Sequence, residues 1–309
     1  MGKTAWVFPG QGSQYLGMGR SIAEAHPGAM ALMNRASELL GYDLAELCWE
    51  GPEEKLKQTE YTQPALLTVS TMLSSALKSH GLAPDVVAGH SLGEYSALVA
   101  AESLDFDTAV TLVARRGQLM EAAMPAGKGT MAVLLGLDYE KVAAICREAA
   151  QGEVVEPANI NCPGQIVISG HRTAVERAMG LGREQGARRV VELDVSGPFH
   201  SSLMRPAAEA FARDLAGAAL RDPKVPVIAN ATADYVKDGE EIQEVLVKQL
   251  YSPVRWEETI QKLISHGVDT FIEVGPGKVL AGLIKRISKN VTVVGFQEME
   301  ELEKVLEMA

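Results

Sequence analysis

The chain has 309 residues, of which 47% are hydrophobic and 22% are charged. This balance is typical of globular proteins and excludes disordered, collagen-like and coiled-coil chains. The 29 basic and 40 acidic residues leave a net charge of −11, which argues against a general nucleic-acid binder. We therefore expect one large domain or two modest ones, with no nucleic-acid partner.

Strands and helices alternate along most of the chain, which predicts an α/β fold with a largely parallel sheet. The hydrophobic patterns and turn residues place strands at 4–8, 84–89, 131–136, 154–161, 165–170, 188–195, 225–229 and 270–274. Helical patterns occupy 13–81 with interruptions, and then 94–101, 107–123, 139–150, 173–186, 204–218, 240–250, 254–265 and 278–287.

The middle of the chain has its own order of elements. From 131 to 195 the predicted order is β-α-β-β-α-β, which is the ferredoxin-like pattern. We predict a small ferredoxin-like subdomain over 127–195, inserted into a large hydrolase-like α/β domain formed by 1–126 and 196–309.

The three cysteines, Cys48, Cys146 and Cys162, are far apart in the sequence. They form no C-x-x-C pair, so neither a disulfide framework nor a metal site is expected. The longest uncharged stretch, 61–77, contains Thr, Gln, Pro and Ser, which is typical of a packed helix rather than a membrane span. The first residues do not resemble a signal peptide. We expect a cytoplasmic protein with no membrane partner, and a monomer.

The five residues at 89–93 read Gly-His-Ser-Leu-Gly and match the G-x-S-x-G pattern of a nucleophile elbow. An apolar strand precedes the pattern and a helix follows it, as such a turn requires. Glycines on both sides of Ser91 allow a sharp backbone turn, and the helix start offers N–H groups to an oxyanion. Ser91 is therefore a candidate nucleophile. The alternative is an ordinary serine at a helix N-terminus.

A serine nucleophile needs a general base, because its hydroxyl is weakly nucleophilic near neutral pH. Of the six histidines, His200 is the best candidate, in a loop where the chain re-enters the large domain. His90 adjoins Ser91 but is expected to point away from it. The remaining histidines are expected at helix ends and in turns: His26, His80, His171 and His266.

No carboxylate stands in an obvious position to complete a catalytic triad. Asp194 precedes His200 closely, but it falls within the predicted strand at 188–195. A backbone carbonyl would then have to orient the histidine and would leave it less basic. We hypothesise that the acyl-enzyme awaits a better nucleophile than water, such as a thiol.

Short motifs occur along the whole chain in a fixed order. They are GQGSQ at 10–14, TQPA at 62–65, GHSLGE at 89–94, ARRG at 114–117, NCPGQ at 161–165, PFHS at 198–201, QLYSPVRW at 249–256 and EVGPG at 273–277. Together they resemble the malonyl-CoA:acyl-carrier-protein transacylase family of bacterial fatty acid synthesis. Their joint spacing is more specific than any single motif.

The resemblance implies a ping-pong transfer. Ser91, activated by His200, would take the malonyl group from malonyl-CoA and pass it to the phosphopantetheine thiol of acyl carrier protein. Backbone N–H groups of Gln11 and Leu92 would form the oxyanion hole. The main-chain carbonyl of Gln249 would orient the histidine, which fits the missing triad acid. No permanently bound cofactor is implied.

Arg116 is the residue that the resemblance assigns to substrate recognition. Malonyl thioesters end in a free carboxylate, which a guanidinium can hold with two parallel hydrogen bonds. The adjacent Arg115 is expected to be structural. Phe199 resembles the malonyl-selective form, because its bulk would crowd a 2-methyl substituent. Further positions match the family's pocket or its supports: Gln63, Asn159, Asn161 and Gln165.

Three alternatives stay open at this point. A stand-alone polyketide-type malonyl acyltransferase would catalyse the same reaction. A serine esterase or thioesterase of the same fold is disfavoured by Arg116 and by the missing acid. A catalytically idle carrier-binding module is disfavoured by the intact set of Ser91, His200 and Arg116.

Acyl carrier proteins are typically acidic, and this chain is acidic as well. Docking would therefore need a local concentration of positive charge near the entrance of the site. We predict such a basic patch from two groups of residues, in the small subdomain and near the C-terminus: Arg183, Arg188, Arg189, Lys285, Arg286 and Lys289. Ordinary solvated helix faces are the alternative for each of them.

Overall fold

A computed structural model describes residues 2–308. Its first part contains β1 (Lys3–Phe8), α1 (Arg20–Ala25), α2 (Pro27–Leu40), α3 (Leu44–Trp49), α4 (Glu53–Leu56), α5 (Thr59–Ser79), β2 (Val86–Gly89), α6 (Gly93–Ala100) and α7 (Phe106–Ala122). The middle part contains β3 (Gly129–Leu135), α8 (Tyr139–Ala150), β4 (Val155–Cys162), β5 (Gln165–His171), α9 (Arg172–Glu184) and β6 (Arg189–Glu192). The last part contains α10 (Arg205–Ala216), β7 (Val227–Ala229), β8 (Asp234–Tyr235), α11 (Gly239–Gln249), α12 (Trp256–Ser265), β9 (Val268–Val274), α13 (Val279–Ile287), β10 (Thr292–Phe296) and α14 (Leu302–Met308).

The larger sheet has six strands in the order β10-β9-β1-β2-β7-β8. All its neighbouring pairs are parallel except β7 with β8. Its central strands are apolar runs without alternation, since every residue of β2 is buried, as is every residue of β1 from Ala5 to Phe8. Such runs form when helices cover both faces of a parallel sheet. The predicted α/β fold is thus confirmed.

The second sheet has four antiparallel strands in the order β4-β5-β3-β6. Helices α8 and α9 bury apolar residues against it, among them Val142, Ile145, Val175 and Ala178. This order and connectivity form the ferredoxin-like arrangement that the β-α-β-β-α-β pattern predicts. The division of the chain before 127 and after 195 stays a prediction.

Two backbone hydrogen bonds join the small sheet to the large part of the protein. The N–H of Ile160 in β4 donates to the carbonyl of Val254 at 2.9 Å, and the N–H of Val254 donates to the carbonyl of Ala158 at 2.8 Å. Val254 is therefore extended, and the helix predicted from 254 begins at Trp256 instead.

Other elements differ from the sequence patterns at their ends or were not predicted. β6 ends at Glu192, so Asp194 lies in an exposed loop and the prediction that it sits in a strand was wrong. The patterns do not predict β8, β10 or α14, which are short and lie at the sheet edge or the end of the chain. Within residues 2–308, no helix is both long and apolar enough to cross a membrane.

The site that carries the chemistry lies where the parallel strands β1 and β2 end. Phe8 is in register with Gly89, so the loops that follow the two strands begin side by side. β7 pairs with the other edge of β2 and ends at the same level. The carboxyl ends of three neighbouring strands thus place their loops around one point, as open α/β sheets do at their binding crevices.

Candidate active site

Ser91 occupies the tight turn between β2 and α6. Its backbone has φ of 52°, a left-handed conformation that non-glycine residues rarely adopt. The turn requires the two flanking glycines. A Cβ at Gly89 would lie 1.9 Å from the carbonyl carbon of Gly93, and a Cβ at Gly93 would lie 2.0 Å from the carbonyl oxygen of Phe8. The turn has the geometry of a nucleophile elbow, with a strand before it and a helix after it.

His200 lies against Ser91 in the way a general base requires. Its Nε2 is 2.8 Å from Ser91 Oγ, and its Nδ1 is 2.9 Å from the main-chain oxygen of Gln249. Because a carbonyl oxygen can only accept, Nδ1 carries the proton and Nε2 is free to take the serine proton. Like Ser91, His200 has a positive φ, of 59°. No carboxylate bonds to its ring within residues 2–308.

Burial governs the protonation of His200. Together with the nearby positive charge of Arg116, it lowers the pKa of the imidazole to about 3. The carbonyl of Gln249 opposes this shift but is a weaker partner than a carboxylate. The histidine is therefore neutral at physiological pH and able to accept a proton.

Arg116 projects from α7 into the same site and is only 1% exposed. Its Nη1 donates to Gln63 Oε1 at 2.8 Å, and its Nη2 donates to Gln249 Oε1 at 2.9 Å and to Ser91 Oγ at 3.2 Å. The guanidinium also lies over the ring of Tyr95, 5.3 Å from its centroid. A buried cation beside the nucleophile is suited to hold a negatively charged substrate group.

A cavity of about 100 Å³ brings most of these groups together. Its polar lining includes Ser91, His200, Arg116, Gln63 and Gln11. Apolar side chains close the rest of it: Leu92, Met120, Met131, Leu193, Val195 and Phe199. The space is small, so it suits a short acyl group rather than a long chain.

Gln11 and Leu92 follow β1 and β2 and meet at this cavity. Within residues 2–308, neither of their backbone N–H groups donates a hydrogen bond to a protein acceptor. Two free N–H groups beside a serine nucleophile are the requirement for an oxyanion hole. The Gln11 side chain is held aside, since its Nε2 donates to Thr59 Oγ1 at 3.2 Å.

A second cavity of about 220 Å³ adjoins the first and shares Gln11, His90 and Asn159 with it. Asn161 and Gln165, expected to line the pocket, lie here and not beside Ser91. Asn161 Oδ1 is 2.9 Å from His90 Nε2, so His90 points away from Ser91 as expected. The buried Oδ1 of Asn159 has no partner within residues 2–308, which leaves an acceptor free for a ligand.

Two residues of the site were not predicted from the sequence. Asn230, the first residue after β7, accepts from the N–H of Ser91 at 2.7 Å and donates to the carbonyl of Gly89 at 2.6 Å. Glu94, in the first turn of α6, accepts from the N–H of Asn230 at 3.0 Å. A polar residue that directly follows a buried strand beside β2 was the available signal for Asn230.

Comparisons with known proteins identify the family of this chain. The acyl transferase domain model matches residues 5–305. A malonyl CoA-acyl carrier protein transacylase of Bacillus subtilis (strain 168) is 48% identical over 308 residues, 99% of this chain and 97% of the relative. An acyl carrier protein S-malonyltransferase structure from Vibrio cholerae is 49% identical, with a TM-score of 0.96 over 98% of this chain and 99% of that one.

A third relative was solved with its carrier. It is a malonyl-transacylase in complex with a holo type II polyketide synthase acyl-carrier protein. It is 45% identical to this chain, with a TM-score of 0.98 over 99% of this chain and 100% of that one. The family model and these relatives all span nearly the whole sequence. This chain therefore belongs to the acyl transferase domain family and, within it, to the malonyl CoA-acyl carrier protein transacylases.

Proposed function

We propose that this protein transfers the malonyl group from malonyl-CoA to the phosphopantetheine thiol of acyl carrier protein, through an ester on Ser91. The observation that carries the proposal is the surroundings of one atom. Ser91 Oγ lies 2.8 Å from a neutral imidazole and 3.2 Å from a buried guanidinium. The first group activates a nucleophile, and the second recognises the carboxylate that distinguishes malonyl from uncharged acyl groups.

The first half-reaction forms the acyl-enzyme. His200 Nε2 takes the proton of Ser91 as Oγ attacks the thioester carbonyl carbon. The N–H groups of Gln11 and Leu92 receive the oxyanion of the tetrahedral intermediate. The intermediate then collapses, the carbon–sulfur bond breaks, and coenzyme A leaves with the proton that His200 returns.

The second half-reaction reverses these steps with a different thiol. His200 takes the proton of the phosphopantetheine thiol, whose sulfur attacks the Ser91 ester, and the proton returns to Ser91 Oγ. Arg116 holds the malonyl carboxylate throughout. The apolar wall formed by Met120, Leu193 and Phe199 limits access of water to the ester. The imidazole of His200 donates to a carbonyl and not to a carboxylate, so it is a weaker base. A weaker base activates water less well, which favours the more acidic thiol as the acceptor.

The decisive experiment is acylation of Ser91→Ala. Incubation of the protein with malonyl-CoA should add the mass of one malonyl group to the wild type and nothing to the variant, as read by intact-protein mass spectrometry. Ser96→Ala is the matched control, because Ser96 is buried on the same helix, α6, without contact to the site. Malonyl transfer by Ser91→Ala at the wild-type rate would refute the proposal.

A polyketide pathway is the second candidate destination for the malonyl group. It is favoured by the 45% identity to the transacylase solved with a polyketide carrier. Both candidates share the chemistry at Ser91 and differ only in the carrier. Competition between a fatty-acid and a polyketide holo-carrier for the preformed malonyl-enzyme distinguishes them, since the physiological carrier should have the higher kcat/KM.

We further propose that the protein works as a cytoplasmic monomer, without membrane or nucleic-acid partners. The net charge of −11 and the packing of most large hydrophobic side chains in the interior support this. Light scattering coupled to size-exclusion chromatography tests the oligomeric state directly. A dimer mass at micromolar concentration would overturn it.

A further inference from the structure

Glu94 is a buried carboxylate beside the active site that the reaction steps above do not use. It is only 2% exposed, and within residues 2–308 no lysine or arginine lies within 4.0 Å of its oxygens. Its Oε2 instead accepts two hydrogen bonds, from the N–H of Asn230 at 3.0 Å and from Gln249 Nε2 at 2.8 Å. An uncompensated buried carboxylate is costly, so its partners determine what it does.

The side-chain amide of Gln249 has one orientation that satisfies all its neighbours. Glu94 Oε2 accepts from the backbone N–H of Asn230, and the carbonyl oxygen of Ser91 can only accept. Gln249 Nε2 donates to both, at 2.8 Å and 2.9 Å. The amide oxygen must then face the opposite side, where Arg116 Nη2 donates to it at 2.9 Å.

The reverse orientation would place an NH₂ group against a guanidinium that can only donate. It would also leave Glu94 facing an oxygen. The carboxylate and the carbonyl of Ser91 therefore together hold the amide of Gln249 in the orientation that supports Arg116. Gln63 Oε1 holds the other terminal nitrogen of Arg116 at 2.8 Å, so two amide oxygens together fix the plane of the guanidinium.

Charge acts in the same direction as geometry. The negative charge of Glu94 favours the charged form of the buried Arg116, and the positive charge of Arg116 favours the ionised form of Glu94. Burial opposes this and raises the pKa of Glu94 to about 7. The two groups interact through Gln249 without direct contact, so the guanidinium keeps no carboxylate partner of its own among residues 2–308.

We propose that Glu94 is a positioning residue that fixes the amide of Gln249 toward Arg116 and thereby sets the selectivity for malonyl over uncharged acyl groups. The inference rests on the proposed function, since it assigns Arg116 to the malonyl carboxylate. Glu94 would thus influence substrate selectivity without contacting the substrate itself.

The test compares single-turnover acylation by malonyl-CoA and by acetyl-CoA in Glu94→Gln. The variant keeps the shape of the side chain but removes its negative charge and weakens one of the three contacts that orient the amide of Gln249. We expect kcat/KM for malonyl-CoA to fall roughly 10- to 100-fold, mainly through KM, and that for acetyl-CoA to change about twofold at most. Gln249→Met, which keeps the main-chain carbonyl for His200 but removes the amide, should also lower the ratio of malonyl to acetyl acylation.

Two further variants exclude a merely structural effect. Glu273→Gln is the matched control, because Glu273 is also a buried carboxylate held by two backbone N–H groups, those of Leu280 and Ala281 at 2.9 Å and 2.7 Å. Its ratio of malonyl to acetyl acylation should equal that of the wild type. In an Arg116→Ala background, Glu94→Gln should change the ratio no further, because it acts through Arg116.

The possible outcomes separate the two proposals. If the wild type shows no malonyl preference, or Arg116→Ala keeps it, the assignment of Arg116 fails. If Arg116→Ala loses the preference but Glu94→Gln and Gln249→Met retain it, only the role of Glu94 is refuted. An equal loss of malonyl and acetyl acylation in Glu94→Gln would also refute it, since that result indicates damage to the nucleophile.

Discussion

Arg116 is a buried cation whose nearest partners are neutral. Its two terminal nitrogens donate to the amide oxygens of Gln63 and Gln249, and no carboxylate lies within 4.0 Å of it among residues 2–308. Burying a charge without a direct counter-ion costs free energy, which a fold recovers when a ligand supplies the missing charge. The arrangement is therefore prepared for an anionic substrate group.

Replacing Arg116 by alanine should remove the buried positive charge that would bind the anionic substrate group. We expect kcat/KM of Arg116→Ala for malonyl-CoA to fall by an amount that corresponds to a loss of about 2–5 kcal/mol in transition-state stabilisation. Acylation by acetyl-CoA should be retained or improved. Arg115→Ala is the matched control, because Arg115 is exposed and pairs with Asp214 at 3.3 Å on the surface. Retained malonyl selectivity in Arg116→Ala would show that the carboxylate is held elsewhere.

The protonation of His200 can be measured directly. Burial and the Arg116 charge lower its pKa to about 3, so its ring should stay neutral where an ordinary histidine titrates. With ¹³C-labelled histidine, we expect its ring resonances to stay constant from about pH 8 down to about pH 5.5. Loss of the signal in His200→Ala identifies the resonance. A titration midpoint near about 6.5 would contradict the buried, carbonyl-held geometry.

The residues of the site differ in how far the sequence predicts them. Ser91 is predictable because glycines at fixed distances reveal its turn locally. Asn230 is not, because it acts on Ser91 from 139 positions away along the chain. Glu94 follows the serine closely, yet its effect depends on Gln249, which arrives from 155 positions away. Contacts of this kind are determined by the tertiary fold alone.

At the scale of elements, the turn between β2 and α6 is closely packed against the neighbouring strand β1. A methyl group at Gly93 would overlap the carbonyl of Phe8 on the neighbouring strand, where backbone atoms on both sides leave no room to adjust. The distance between the first turn of α6 and β1 therefore depends on this glycine, and so does the placement of Ser91.

Gly93→Ala should destabilise the protein and displace the nucleophile. We expect a loss of roughly 1–3 kcal/mol in the free energy of unfolding, measured with urea, and a larger relative loss of acylation rate. Gly282→Ala is the control, because Gly282 lies in α13 with no atom within 4 Å of an added Cβ. That change should stabilise the protein by about 0.5–1 kcal/mol. Equal stability of both variants would contradict the close packing.

Element types were predictable where periodicity was strong, and boundaries were not. The helix at 139–150 agrees with α8 at both ends, because Asp138 caps it and a turn follows. The start of α12 is displaced to Trp256 by the pairing of Val254 with β4, a contact between distant segments. β10 pairs only with β9 at the sheet edge, and its five residues are a short apolar run that the patterns above leave unassigned.

At the scale of the whole molecule, the acidic chain carries several exposed cations that form no ion pair within residues 2–308, among them the basic patch predicted from the sequence. All six residues of the basic patch are exposed, and none forms an ion pair within residues 2–308. Its two halves are joined by contacts: Arg286 donates to Gln165, Gly164 adjoins Gly136, and the side chain of Arg188 covers Gly136. Gln165 also lines the second cavity, so Arg286 of the patch contacts a residue of that cavity.

Charge reversal in the patch should weaken docking without affecting the chemistry. We expect Arg188→Glu combined with Arg286→Glu to raise KM for acyl carrier protein roughly 10-fold in the second half-reaction, measured from preformed malonyl-enzyme. Added salt should reduce the difference. Lys237→Glu is the control, because Lys237 is exposed near the opposite ends of the central strands. Unchanged, salt-insensitive carrier affinity would place the docking surface elsewhere.

The paired bonds between Val254 and β4 have a consequence for how substrates travel. They lie only a few residues from Gln249, so a hinge that separated the two sheets would have to break them and disturb the support of both His200 and Arg116. We therefore expect the geometry of the site to be the same in the free protein and with the pantetheine arm of coenzyme A bound, because the flexibility that substrate entry requires lies in that arm.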